Sequence, residues 1–415
     1  MEFKYLYVIF IFTLISCNQK NQTHTKASNE NSTKDTIAQS PLETRKANTH
    51  YKPAFKGQTR AVESTTQTAY KTELITDALK SPWGMAVLPD GRLLISENEG
   101  YMQIIDLQDT KISEPITGLP QVDNQGQGGL LGICLDPNFS SNRMLYWVYT
   151  EKIAKGNHTT VAKGNLADDE KSIENIQVIY RASPTYDGVL HYGGRILFDK
   201  EGYLLVSTGE RSDKETRHYA QDLNSSLGKI LRITTNGQPA PGNPFENQEE
   251  ALAEIYSYGH RNPQGLDLHP ITGELWSNEF GPRGGDELNL IKPGKNYGWP
   301  IITYGLEYSG EAIGNPPLQQ KEGMEQPVYY WDPVLSASGM TFYKGKRVPE
   351  WENNLFLAGL SGSHISRIVI ENNKVVGEER FLEEEGERFR DIIQAKEGAL
   401  YMVTDSGKLY KMDKE

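Results

Sequence analysis

Cysteine is nearly missing: the 415 residues hold only Cys17 and Cys134. One ends an apolar N-terminal run and the other sits inside GGLLGICLD, so the pair makes no disulfide framework. Cys134 reads as a small buried hydrophobe. An excess of positive charge is missing too. Lys and Arg total 43 against 55 Asp and Glu, a formal net charge of -12. Bulk nucleic-acid binding is thereby excluded, although a few arginines can still converge on one anion. No long stretch carries the 3.6-residue period of an amphipathic helix. A long apolar run occurs at Tyr5–Ile15, and it is too short to span a bilayer comfortably as a permanent helix.

That run, MEFKYLYVIFIFTLISC, has Lys4 as its basic start and reads as an export signal. Its end, Leu14-Ile15-Ser16-Cys17, resembles a bacterial lipobox. The resemblance implies cleavage before Cys17, acylation of that residue, and a lipid-anchored protein facing the periplasm. An ordinary cleaved secretory signal is the alternative. Residues 18–60 are rich in Asn, Thr, Ser, Lys and Gln. Such a segment buries too little apolar surface to offset its ordering, which predicts a flexible tether. The folded body is then expected over residues 61–415.

What is plentiful is Tyr (22), Gly (39) and Pro (21), a composition of short strands and many turns. From about Tyr70 a unit recurs: an alternating apolar strand, a turn, and a second strand. WGMAVLPDGRLLISEN, LLGICLDPNFSSNRMLYWVYT, GGRILFDKEGYLLVSTG, GLDLHPITGELWSNE, GMTFYKGKRVPEWENNLFLAG and RDIIQAKEGALYMVTD are its six copies. A third short strand follows most of them. Period-two alternation repeated in this way predicts an all-β chain, a six-bladed β-propeller with inserted loops on one face. A large sandwich or two β domains is the competing architecture. The strand from Thr72 is placed to complete the last blade and close the ring. The largest insertions are expected at 209–228, 234–262 and 277–338, and loops gathered on one face of a ring converge on its axis.

Between Glu254 and Pro300, charged residues stand among many glycines and prolines. Gly lets backbone approach a ligand closely, and Pro fixes how a carbonyl points. Such a loop can offer main-chain oxygens to a cation and a guanidinium to an anion; well-ordered turns with surface ion pairs are the plainer reading.

The segments GQGGLLGICLDPNF, HYGGRILFD, QDLNSSLGKILRI, SYGHRNPQGLDLHP, GPRGGDELNLIKPGKNYGWP and ERFRDI resemble the quinoprotein glucose/sorbosone dehydrogenase family, in particular its bacterial aldose sugar dehydrogenases. The match runs from about Ser81 to the end. It implies a six-bladed propeller that binds pyrroloquinoline quinone (PQQ) and calcium and oxidises the anomeric hydroxyl of a sugar.

The resemblance places the general base at His191, and a neutral imidazole suits that task near pH 7. As an isolated residue, His191 reads equally as a structural histidine before a Gly-Gly turn. Gln127 matches a contact to quinone and substrate, or else a turn-stabilising amide. Arg261 and Asn262 match quinone-binding positions, where a forked guanidinium suits a carboxylate. Arg388 and Arg390 match a second pair; alternate strand residues share a side, though an exposed basic pair has the same pattern. Tyr308 matches a further quinone contact. Gly281 and Pro282 match backbone-carbonyl ligands of calcium, a hard cation that takes oxygen donors. Glu287 and Tyr297 match metal positions in the aldose dehydrogenase branch, with Tyr297 acting through its main-chain oxygen. Glu287 could instead pair with a neighbouring Arg.

One position departs from the pattern. Ser361, in LAGLSGSHISRI, stands where the family has a Lys for a quinone carboxylate, and His364 or Lys344 is the candidate substitute. The expected partners are a small sugar, an electron acceptor of unspecified kind, and a membrane reached only through the lipid. A non-catalytic glycan- or protein-binding propeller and a calcium-dependent lactonase are the alternatives.

Overall fold

The structure, a computed structural model, describes residues 40–415. The lipobox-like Cys17 and residues 18–39 of the expected tether lie outside the described residues. Six antiparallel sheets are present, five of four strands and one of three. Their first strands in the ring are Pro82–Val87, Leu130–Leu135, Ile196–Phe198, Pro263–Leu268, Ala337–Phe342 and Phe389–Gln394. Each packs on the next, and the last packs back on the first. The six-bladed propeller is thus the fold. Blades are numbered 1 to 6 in that order.

Alternation explains why the blades stack. In blade 1, the strand Leu93–Glu97 is buried on both faces. Leu93 and Ile95 join a cluster with Tyr401 and Val403 of blade 6. Leu94 turns the other way, towards Leu145 and Trp147 of blade 2. Successive side chains point to opposite faces, so one strand serves two interfaces. Each fully buried Leu contributes about 1.5–3 kcal/mol. Tyr70–Thr76 closes the ring as expected. It pairs antiparallel with Leu409–Lys414, from Tyr70 against Lys414 onwards, so a strand from the N-terminal side completes the C-terminal blade.

Five of the six inner strands carry a register shift near their start, for example between Pro82 and Gly84 and between Phe389 and Asp391. Such bulges bend the strand and re-aim the residues beside them. Below these entries the axis is closed. Arg195 of blade 3 reaches Asp391 of the opposite blade 6 at 3.0 Å, and its guanidinium lies 4.7 Å from the Trp83 ring centre. Asp391 Oδ2 also accepts the Met85 N–H at 2.9 Å. A Cβ on Gly339 would stand 1.8 Å from Asp391 Oδ1, so only glycine fits there. The ion pair makes the central well blind.

Two boundaries differ from expectation. Residues 40–60 are not a free tether. Gln58 is fully buried; its Nε2 donates to Pro327 O at 2.9 Å, and its carbonyl accepts the Tyr330 N–H at 2.8 Å. Arg60 donates to the carbonyls of Glu43, Arg45 and Asp332. Polar side chains here satisfy backbone groups of the propeller, a form of anchoring that low apolar content does not reveal. The expected insertion bounds are also too wide: 277–338 contains the blade 4 strands Asp286–Ile291 and Tyr329–Trp331, so that the insertion proper is 292–328, and 234–262 contains the blade 3 strand Ile255–Tyr258.

Candidate active site

The residues just before or at the starts of the inner strands face a single cavity of about 730 Å³ over the blind floor. That size suits a small organic ligand. His191 and Gln127 line it, as do Gly281 and Pro282; Tyr308, Arg388 and Arg390 complete the expected residues on its wall.

His191 has φ +50°, a left-handed conformation that is costly for a non-glycine residue and persists where surroundings enforce it. Two neighbours do so. Gln127 Oε1 accepts the His191 N–H at 2.9 Å. Gly209 lets the His191 carbonyl pass, since a Cβ there would lie 2.2 Å from it. His191 Nδ1 donates to Glu210 Oε1 at 2.7 Å, which fixes the tautomer and leaves Nε2 available towards the cavity. Burial, and after it the Arg261 charge, lower the His191 pKa to about 4, with the Glu210 hydrogen bond opposing both. The imidazole is therefore neutral at pH 7 and competent as a base. Glu210 was not singled out from the sequence; its one signal is an acid after the Thr-Gly that ends a buried strand. Arg211 braces the same loop, donating to Leu190 O and Gly188 O with its guanidinium 4.0 Å from the Tyr192 ring centre.

Arg261 and Asn262 stand behind the wall rather than on it. Arg261 Nη1 donates to Phe280 O at 3.1 Å and Gly281 O at 2.6 Å. Asn262 Oδ1 accepts the Gly193 N–H at 2.9 Å. Arg261 Nε and Asn262 Nδ2 are buried without partners, donors that a ligand entering this floor would satisfy. Asp286 shapes the Gly281–Pro282 turn: Oδ1 accepts the Gly281 N–H, and Oδ2 accepts those of Leu335 and Ser336. A carbonyl has two lone pairs, so Gly281 O can serve Arg261 and a cation together.

Arg388 and Arg390 share a partner that sequence reading missed. Asp405 accepts Arg388 Nε at 2.9 Å and Arg390 Nε at 2.8 Å, and it lines the cavity with them. Burial works to raise its pKa, but the two guanidiniums outweigh that and hold it low. The pair therefore brings about one net positive charge to the wall, not two. Phe389 between them is fully buried, as strand alternation requires. Arg388 Nη1 also donates to Ser361 Oγ at 3.3 Å. Neither expected substitute for the missing Lys is on the wall. His364 is buried and bonds Gly362 O through Nδ1, and Lys344 pairs its main chain with Gln394 at the far end of that blade.

Glu287, in blade 4, and Tyr297, in the insertion that follows it, lie away from the cavity wall. Among the described residues, Glu287 pairs with no Arg. It sits opposite Glu279 across the strand pair and accepts Asn289 Nδ2 at 3.2 Å. Burial raises its pKa well above the ordinary range, and the Glu279 charge adds to that. Asn289 Oδ1 is buried and unpartnered. One buried carboxylate, one half-buried carboxylate and a spare amide oxygen form a donor set that fits a hard cation. The Tyr297 ring stacks on His260 at 4.7 Å, and its hydroxyl donates to Leu290 O. Among the described residues, no three His, Cys, Asp or Glu side chains form a metal-holding group, so any cation here leans on carbonyl and amide oxygens.

A propeller whose axial well gathers a base, guanidiniums and backbone oxygens has the layout of a cofactor-binding enzyme. Residues 79–411 match the family model for glucose/sorbosone dehydrogenase, and the chain belongs to that family. By that membership it is a sugar dehydrogenase. It is 39% identical over 345 residues to the aldose sugar dehydrogenase YliI of Escherichia coli K12, covering 82% of this chain and 92% of that one. A crystal structure of a glucose dehydrogenase superposes with a TM-score of 0.79 at 41% identity, covering 83% of this chain and 99% of that one. The PQQ-bound form of an aldose sugar dehydrogenase from Streptomyces coelicolor superposes with a TM-score of 0.68 at 32% identity, over 84% and 99% of the two chains.

Proposed function

We propose that this protein oxidises the anomeric hydroxyl of an aldose to the lactone, with PQQ and calcium as cofactors and His191 as the general base. The observation that carries the proposal is the His191–Glu210 pair. Nδ1 is engaged at 2.7 Å while the ring lines the cavity, so Nε2 is the nitrogen able to take the C1 hydroxyl proton. When bound, PQQ supplies the two-electron acceptor for the hydride that leaves C1. Arg261, Arg388 and Arg390 would hold its carboxylates, and Asn262 Nδ2 and Tyr308 would contact it. The Gly281 and Pro282 carbonyls would hold calcium, as would Glu287 at a second position with the Tyr297 carbonyl. Gln127 fixes the His191 main chain through Oε1, leaving its Nε2 to orient a sugar hydroxyl. Glu210 stabilises the imidazolium formed by the proton transfer. Turnover would further require a separate electron acceptor.

The lipobox-like end at Cys17 supports an exported protein, anchored by lipid and facing the periplasm. The test of the function is to titrate purified apoprotein with PQQ, with and without calcium, and to follow aldose-dependent dye reduction. Calcium-dependent quinone binding with dye reduction by at least one aldose is expected. Bound quinone with no turnover across a panel of aldoses overturns the dehydrogenase reading in favour of a binding propeller.

A further inference from the structure

Residues 40–62 form a strap along blades 4 and 5, closed at its base by a bridge between Pro41 and Val62. The family match begins at residue 79, so the strap lies outside it. Its apex reaches the cavity. The Asn48 N–H donates to Asp332 Oδ1 at 2.7 Å, Asn48 Nδ2 donates to Pro333 O at 2.8 Å, and Asn48 itself lines the wall. Asn48 Oδ1 accepts Arg283 Nε at 3.4 Å. The main chain of Arg283 is held in both directions by Leu306, at 2.9 and 3.1 Å. On its other side runs the turn bearing Gly310, where a Cβ would stand 3.5 Å from Arg283 Nη1. Arg283 is exposed, and its guanidinium lies between the strap and this turn, with Tyr308 on the same wall.

Arg283 differs from the other arginines on this wall. Arg388 and Arg390 share Asp405. Glu307, on the turn next to Arg283, is taken by Arg217 in a bidentate pair at 2.6 and 2.9 Å. Among the described residues, the only side-chain hydrogen bond of Arg283 is the one to Asn48. Its Nη1 and Nη2 therefore remain as a forked donor pair on the cavity wall, the geometry that matches a carboxylate.

We propose that Arg283, positioned by Asn48 of the strap, is a carboxylate-recognition point at the mouth of the cavity. The inference rests on the sugar-dehydrogenase reading. The same chemistry has two sources, a carboxylate of the quinone or that of an acidic aldose such as a uronic acid.

The test uses the full chain and its Arg283→Gln, Arg283→Lys, Asn48→Ala and Asn48→Asp variants. Three readouts are taken: PQQ affinity by fluorescence with calcium, the ratio of kcat/KM for glucuronate over glucose, and glucuronate binding to apoprotein by calorimetry. If the sugar supplies the carboxylate, Arg283→Gln lowers the ratio about five- to tenfold with quinone affinity unchanged. If the quinone supplies it, affinity falls by a similar factor and the ratio holds. Asn48→Asp mimics Arg283→Gln, because its own carboxylate occupies the guanidinium. Asn48→Ala has a smaller effect in the same readout, and Arg283→Lys recovers part of the loss. Arg283→Gln within twofold of wild type in all three readouts overturns the proposal. A wild type that binds no quinone overturns the functional reading instead, and the calorimetry alone then decides the role of Arg283.

Discussion

His191 Nδ1 donates to Glu210 Oε1 at 2.7 Å, and Glu210 is fully buried with its second oxygen unpartnered. Among the described residues, the carboxylate's hydrogen-bond partners are the imidazole and the Ser212 N–H, and of these only His191 lines the cavity. Its effect on the reaction therefore passes through His191.

Glu210→Gln keeps the shape but removes the charge that stabilises the imidazolium. We expect kcat to fall by about 10²–10³, within the range that general-base groups contribute. Quinone affinity should change little. Steady-state kinetics beside a PQQ titration separate the two, and an equal loss in both would make Glu210 a structural residue only.

The pH dependence follows from burial. The folded imidazole has a pKa of about 4, so it stays deprotonated well below the ordinary histidine range. The acid limb of kcat/KM is expected near pH 4–5 rather than near 6.5. The same shift has a consequence for stability. Between about pH 6.5 and pH 4 the unfolded imidazole binds the proton that the folded one refuses, so stability falls as the pH drops through that window and is full above it. Melting curves of wild type and His191→Ala across this range should differ in slope, with the variant flatter.

Lys229 is fully buried, and its Nζ donates to the carbonyls of Tyr219, Ala220 and Leu227 at 2.7, 3.2 and 2.7 Å. It ties down the end of the 209–228 loop, whose beginning carries Glu210. Lys229→Met fills the space but leaves Leu227 O without a donor and strips the charged partner from the Tyr219 and Ala220 carbonyls, which keep the Asp222 and Gly259 N–H groups. A loss of about 3 kcal/mol or more is expected, read as a lower denaturation midpoint with increased proteolysis in that loop.

Ser361 occupies the place of the expected Lys and accepts Arg388 Nη1 at 3.3 Å. Ser361→Lys adds a cation beside the Asp405-neutralised arginine pair. Quinone binding is expected to tighten by about tenfold, the value of one charge-assisted contact less the added repulsion. Weaker binding would mean that the Ser361–Arg388 arrangement already does the work of the lysine.

The blades were legible because they are local. Period-two alternation, turn residues and the spacing of copies depend on neighbours a few positions apart, and those set which strands form and which residues begin them. His191, Gln127, Arg388 and Arg390 were singled out through the family motifs, and the local pattern adds only that each stands near the entry to an inner strand. The family motifs added their chemistry.

The partners of those residues were decided only in three dimensions. Asp405 neutralises two arginines, Glu210 orients the imidazole, and Glu279 faces Glu287, each through a pairing of strands or loops that no linear period encodes. Arg195 and Asp391 meet across the axis only because the ring closes. The strap shows the contrast most clearly: its composition is that of an unstructured linker, yet a buried hydrogen bond at Gln58 and a half-buried one at Asn48 hold it to the propeller. Composition reports how much apolar surface a segment can bury; it does not report which unpaired backbone groups lie waiting on a distant blade, and those are what hold this segment in place.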